Sequence, residues 1–225
     1  MKKNVLIVVA HRDDETFGCG GTIAKLIADN FKVYVVSMTD GVSSREKSSS
    51  KEIGTRYKNS LKAANIIGFK WLNKISGNFL DNAMDKEKFL DIVKLIEKAK
   101  KIVKPEMVIT HYPEDLNIDH QIVSSATMTA FRPKTNEICK KIISFEIPSS
   151  TDYASYKKKT FKPNYFVDIK NFWEKKKNAL DAYKDELLSY PNSRSLKGIK
   201  NLSHYRGNQN GLDMAEAFQV LRIIK

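Results

Sequence analysis

The sequence predicts an α/β protein of Rossmann-like build: an open, mainly parallel sheet with helices on both faces, in a single domain spanning residues 1–225. Three observations predict it. Short apolar, β-branched runs at residues 5–9, 31–38 and 107–110 read as buried parallel strands. Stretches with helical spacing of apolar residues alternate with them, as βαβ units require. The first and third runs each lead into a charged cluster at the strand's C-terminal edge, where open α/β sheets bind ligands. A chain of 225 residues, 41% hydrophobic and 29% charged, can bury one sizeable core, and it shows neither an internal repeat nor a linker.

The elements follow in order. Residues 3–9 form the first strand and 19–29 the first helix; residues 31–38 form the second strand, stopped by Thr39-Asp40-Gly41. Residues 42–51 are Ser-rich and charged without periodicity, either a lid over the sheet edge or an ordinary connection. Arg56 lies early in an amphipathic helix carrying Leu61, Ala63, Ala64, Ile66 and Ile67, stopped by Gly68. After a short strand at 69–72, Asp85 caps a long helix with Phe89, Ile92, Val93, Ile96, Ala99 and Val103 on one side, ended by Pro105. Asp119 reads as the cap of a helix over 120–131. Strands follow at 142–147 and 165–169, then a helix over 170–188, a polar stretch over 189–211, and a last helix over 212–223.

The chemistry concentrates in residues 10–21, Ala-His-Arg-Asp-Asp-Glu-Thr-Phe-Gly-Cys-Gly-Gly. Adjacent carboxylates beside a His repel one another unless a cation joins them. The three-residue offset of His11 and Asp14 lets a tight turn aim both at one point, with Asp13 facing elsewhere. The second cluster, Asp-Leu-Asn-Ile-Asp-His at 115–120, reaches the same sheet edge. Two His and one Asp leave a zinc ion an open position for water. Gly18, Gly20 and Gly21 lack the G-x-G-x-x-G spacing of a dinucleotide fingerprint and are read as letting backbone pass close to the site.

Residues 10–15 resemble the Ala-His-Pro-Asp-Asp-Glu motif of the PIG-L/LmbE-like zinc-dependent N-acetylglucosaminyl deacetylases. Residues 117–120 resemble that family's second motif, which ends in Asp-His. Arg206-Gly207 with Ala215-Glu216-Ala217-Phe218 is similar to its C-terminal signature. The resemblance implies a deacetylase domain over 1–225 that binds zinc, or iron(II), through His11, Asp14 and His120. It implies Asp13 as general base and Asn117 as oxyanion donor. Asp119 either orients a catalytic group or caps its helix, and Glu15 braces the turn through backbone donors. Arg56, His111, Arg194 and Arg206 are candidate contacts to sugar or phosphate. Three positions depart from the family pattern. Arg12 replaces Pro and could place a positive charge at the site mouth; Asn117 replaces a His; and Asn59 stands where Glu is common.

Composition narrows the partners. No apolar run approaches the roughly 20 residues that span a bilayer, and the first residues lack a signal peptide's apolar region and cleavage site, so a cytoplasmic protein without a membrane partner is expected. Cys19 and Cys139 are expected as reduced, packed thiols. The net charge of +13 is spread over many lysines, including 157–159 and 175–177, without an aromatic-interleaved RNA motif, so nucleic acid is not the expected partner. The expected substrate is an N-acetylated sugar or sugar nucleotide, toward which some of the charge could steer an anionic form. A homo-oligomer is left open. The competing class is a nucleotide- or nucleic-acid-binding α/β protein without hydrolytic activity.

Overall fold

The computed structural model describes residues 3–44, 49–77, 79–135, 137–154, 156 and 160–225. Residues 45–48 of the Ser-rich stretch and Lys157, Lys158 and Lys159 lie outside these. The elements are β1 (Asn4–Val9), α1 (Asp14–Ala28), β2 (Lys32–Ser37), α2 (Ser50–Ile67), β3 (Lys70–Trp71), α3 (Phe89–Val103), β4 (Met107–His111), α4 (Ile118–Ala130), β5 (Lys141–Phe145), β6 (Tyr165–Asp168), α5 (Trp173–Ala182), α6 (Leu196–Asn208) and β7 (Ala215–Ile223). The described strands form one sheet in the order β3-β2-β1-β4-β5-β7-β6. The first five strands in that order pair in parallel, and β7 runs antiparallel between β5 and β6.

β1 sits near the sheet centre because both its faces are apolar. Val5, Ile7 and Val9 pack against α1, α2 and α5, while Leu6, Val8 and Ala10 face the layer of α3 and α4. Five fully buried aliphatic side chains in one strand contribute on the order of 10 kcal/mol before chain entropy. Among the described residues no helix is long and apolar enough to cross a membrane.

α1 is broken at Cys19, where φ is −146° and ψ 23°. The break exposes a second set of helix donors, which the Glu216 carboxylate caps from β7, accepting from Gly21 N–H at 2.9 Å and Thr22 N–H at 2.7 Å. Lys176 of α5 neutralises Glu216 at 2.6 Å and donates to the Phe17 carbonyl at 2.9 Å. The glycine run serves this packing: a Cβ on Gly18 would lie 2.3 Å from the Phe145 ring, and one on Gly21 2.9 Å from Ile169. The close approach is therefore to β5 and the segment after β6.

Several expected elements differ. Residues 215–223 form β7, not a helix. Ala, Glu, Gln and Leu favour helix locally, but the gap between β5 and β6 and the one-face alternation of Glu216, Phe218 and Val220 override that preference. The polar stretch contains α6, capped by Ser195 on Gly198 N–H at 2.9 Å. α3 begins at Phe89 with Lys88 at its N-cap, so Asp85 does not cap it. α5 is only ten residues long, flanked by single 3₁₀ turns.

Candidate active site

β1 and β4 end side by side, and the turns beyond them build the site. Asp13 occupies the N-cap of α1, but its side chain makes no capping bond and is left for other partners. The N-cap of α4 is Asn117, whose Oδ1 accepts from Asp119 N–H at 2.8 Å and His120 N–H at 3.4 Å. The cap assigned to Asp119 thus belongs to Asn117. Asp119 is fully buried and accepts from the N–H groups of Asn82 (2.7 Å) and Met84 (3.1 Å), which fixes the loop before α3.

His11, Asp14 and His120 converge. His11 Nδ1 lies 3.2 Å from Asp14 Oδ2 and 3.2 Å from His120 Nε2, and His120 Nε2 lies 3.5 Å from Asp14 Oδ1. Ligand atoms of a tetrahedral ion with bonds of about 2.0–2.1 Å are about 3.3 Å apart, so these spacings suit a single divalent ion. Two imidazole nitrogens this close also need a proton or an ion between their lone pairs. Asp14 additionally accepts from His11 N–H at 2.8 Å, which closes the turn. Burial would raise the Asp14 pKa, but the three histidines around it hold it well below the carboxylate range. Burial would lower that of His120, yet Asp14 and Asp115 hold it up at about 9.

Asp13 faces away from this cluster, as the one-residue offset predicts. Its Oδ2 receives Arg56 at 2.9 Å and Arg194 at 2.8 Å. Arg56 also pairs with Glu186, and Arg194 donates to the Glu186 carbonyl at 3.1 Å while lying over the Phe17 ring at 3.9 Å. A cavity of about 490 Å³ opens beside these groups; its walls include His11, Asp13, Asp14, His120, Asn117, Arg56 and Arg194. Asn117 Nδ2 donates to Asn82 Oδ1 at 2.9 Å and keeps a second hydrogen.

Four expectations do not match their placement. His111 is 0% exposed beneath the site, stacked on His120 with centroids 3.9 Å apart, and its Nε2 accepts from Ala10 N–H at 2.9 Å, so it reaches no substrate. Burial and the His120 charge lower its pKa to about 4. Arg206 makes a two-pronged pair with Glu146 at 2.7 and 2.6 Å and lines a separate cavity of about 250 Å³. Arg12 is not at the mouth: it is buried between the Tyr57 and Trp71 rings, 5.0 and 4.7 Å from their centroids. Glu15 is held by the hydroxyls of Thr16 (2.7 Å) and Tyr183 (3.0 Å), and burial pushes its pKa up to about 8.

Asp81 and Glu186 are site residues that sequence reasoning missed. Asp81 lies 3.1 Å from His11 Nε2 and lines the cavity, as does Glu186. Asp81 lies in the loop before α3 and Glu186 in the 3₁₀ turn after α5, and neither carries a motif, so only the fold discloses them.

Residues 6–131 match the family model described as PIG-L, GlcNAc-PI de-N-acetylase. The chain is 25% identical over 226 residues to the diacetylchitobiose deacetylase of Thermococcus kodakarensis, covering 96% of this chain and 82% of that protein. Among solved structures, the N,N'-diacetylchitobiose deacetylase of Pyrococcus horikoshii superposes with a TM-score of 0.75 at 23% identity, covering 98% of this chain and 84% of that one. The 4-carboxy-2-hydroxymuconate hydratase GalB of Pseudomonas putida superposes with a TM-score of 0.76 at 20% identity, covering 99% and 98%. A hydratase and a deacetylase thus share this fold, and the choice of reaction rests on the site.

Proposed function

The chain belongs to the PIG-L family, and from that premise we propose that it is a metal-dependent deacetylase. Its substrate contains an N-acetylhexosamine, as free sugar, sugar nucleotide or glycoconjugate precursor, and its products are acetate and a free amino sugar. Residues 1–225 are read as one such domain. The carrying observation is the convergence of His11 Nδ1, His120 Nε2 and Asp14 within 3.2–3.5 Å, with Asp13 on the wall of the same cavity. The family description names N-acetylglucosamine in a lipid conjugate, and the two relatives above are named for an acetylated disaccharide, which supports the sugar.

His11, Asp14 and His120 would hold the ion; zinc is proposed, and iron(II) suits the same two-His, one-carboxylate set. Bound there, the ion would acidify a water molecule and polarise the acetyl carbonyl. Asp13 accepts the water's proton. Both arginines bond its Oδ2, which leaves Oδ1 outside that pairing and fixes the carboxylate's orientation. The remaining hydrogen of Asn117 Nδ2 stabilises the charge that develops on the carbonyl oxygen. Asn117 cannot supply a proton to the departing nitrogen, so Asp13 returns the one it took. Arg56 and Arg194 act first on Asp13 and Glu186, and sugar hydroxyls find partners in Ser44, Asn82 and Ser150 on the cavity wall.

The test is an amine-release screen over acetylated hexosamines, acetylated disaccharides and acetylated sugar nucleotides, with and without a chelator. Chelator-sensitive release of acetate and amine in equal amounts is expected. Release that persists after the metal is stripped would reject the proposed chemistry.

A further inference from the structure

Each histidine of the site turns one ring nitrogen to the shared point and the other to a buried carboxylate. His11 Nε2 lies 3.1 Å from Asp81 Oδ1, with Asp119 Oδ2 farther at 3.4 Å. His120 Nδ1 lies 3.1 Å from Asp115 Oδ1. Among the described residues, His11 Nε2, Asp81 Oδ1 and His120 Nδ1 are buried and have no other hydrogen-bonding partner. A neutral imidazole offers one N–H and one lone pair, while an ionised carboxylate only accepts. The carboxylates therefore draw the ring protons to His11 Nε2 and His120 Nδ1. Once the rings are neutral, as a bound ion would require, the lone pairs are left on His11 Nδ1 and His120 Nε2, both of which face Asp14.

The carboxylates are themselves held. Asp81 accepts the Ser44 hydroxyl, and its N–H donates to Ser43 Oγ at 3.2 Å. Asp115 accepts the hydroxyls of Ser150 and Thr151 and the Asn117 N–H at 2.9 Å. The Asp119 oxygen that faces His11 already accepts from Asn82 N–H, whereas Asp81 Oδ1 accepts no other hydrogen bond among the described residues, so Asp81 is the nearer and less committed partner of His11.

We propose that Asp81 and Asp115 are positioning residues that lock His11 and His120 in their ion-binding tautomers and so set the site's affinity for its metal. The proposal rests on the reading that His11, Asp14 and His120 hold the ion. Carboxylates behind a metal-bound His raise its basicity and fix its ring, and their loss typically weakens binding about 10–100-fold.

The experiment measures zinc affinity of the stripped 225-residue chain by competition with a chromogenic chelator. Asp81→Leu and Asp115→Leu should weaken binding about 10–100-fold, and Asp81→Asn and Asp115→Asn, which keep an acceptor oxygen, should weaken it less. Ser44→Ala removes one of the bonds that hold Asp81 but not the contact of Asp81 with His11, and should weaken zinc binding less than Asp81→Leu. Nitrogen-15 spectra of the zinc-loaded parent chain should show His11 protonated at Nε2 and His120 at Nδ1; this readout needs no variant to fold. The opposite tautomer on either ring, or parental affinity in Asp81→Leu, would overturn the proposal. So would two zinc ions in the parent and one in Asp81→Leu, because Asp81 would then be a ligand itself. Zinc retained by His11→Ala is a different result: it would remove the three-ligand reading beneath the proposal.

Discussion

Replacing Asp13 by Asn separates the two neighbouring acids. The change keeps shape and removes one charge. Asp13 pairs with Arg56 and Arg194 and not with the clustered histidines, so the ion should stay. Asn still offers an oxygen to both guanidinium groups, and each keeps a second anchor on Glu186. The cost to folding is then about 1–3 kcal/mol, the size of one weakened charged hydrogen bond, out of a typical 5–15 kcal/mol. The cost to catalysis is larger. Losing the proton acceptor lowers the rate roughly 10²–10⁴-fold, equivalent to about 3–5 kcal/mol of barrier. Because the proton moves only in the transition state, kcat should fall while KM changes little. Amine release, elemental analysis and a thermal melt on the same preparation check this. Asp14→Asn, which loses the carboxylate between the histidines, should instead be metal-poor. An Asp13→Asn protein that is zinc-loaded and within tenfold of parental rate would refute the role; a metal-poor Asp13→Asn beside a metal-loaded Asp14→Asn would mean the acids are exchanged.

Three further outcomes follow from the packing and the charges. Asp14 favours the charged forms of both His11 and His120, so ion uptake must release protons; apparent zinc affinity should fall as the pH is lowered from 8 to 6, and a flat profile over that range would count against the two histidines as ligands. Glu216→Ala strands the Lys176 ammonium, which is 2% exposed, and should cost about 3–5 kcal/mol; that lowers Tm by about 6–20 °C, and Glu216→Ala with Lys176→Met should recover part of it. Gly18→Ala drives a methyl group into the Phe145 ring and should cost about 1–3 kcal/mol, measurable by urea unfolding and relieved by Phe145→Leu in the same chain.

Much of the fold was legible because its signals are local. The run of β1 is apolar on both faces, which only a doubly covered strand tolerates, and it sits near the sheet centre with helices on either side. β7 was not legible. Its Ala, Glu, Gln and Leu favour a helix, and what makes it a strand is the opening between β5 and β6, whose partners lie about fifty and eighty residues away in sequence. α6 was hidden by its own composition, since its buried contacts are few, among them Ile199, Ser203 and Gly207.

The site divides in the same way. His11, Asp13 and Asp14 share one turn, and a turn constrains neighbours enough to say that the two acids point apart. His120 follows from the second cluster because both strands end at one edge. What lay beyond reach was orientation and distant partnership. His111 is the last residue of β4, and only the packing against Phe145 and His120 shows that it faces inward. Arg194 meets Asp13 across 181 residues, and Asp81 meets His11 across a gap that no spacing rule spans. Arg12 shows how a motif can change one residue and keep its geometry. A proline would fix this turn through its own ring. Here the guanidinium is wedged between Tyr57 of α2 and Trp71 of β3 and bonds Ser60 at 3.3 Å and Asn73 at 3.2 Å, while the Arg12 carbonyl accepts from Arg56 at 3.4 Å. The turn is pinned through a side chain anchored in two other elements, so its rigidity depends on tertiary structure where the family's proline would carry it locally.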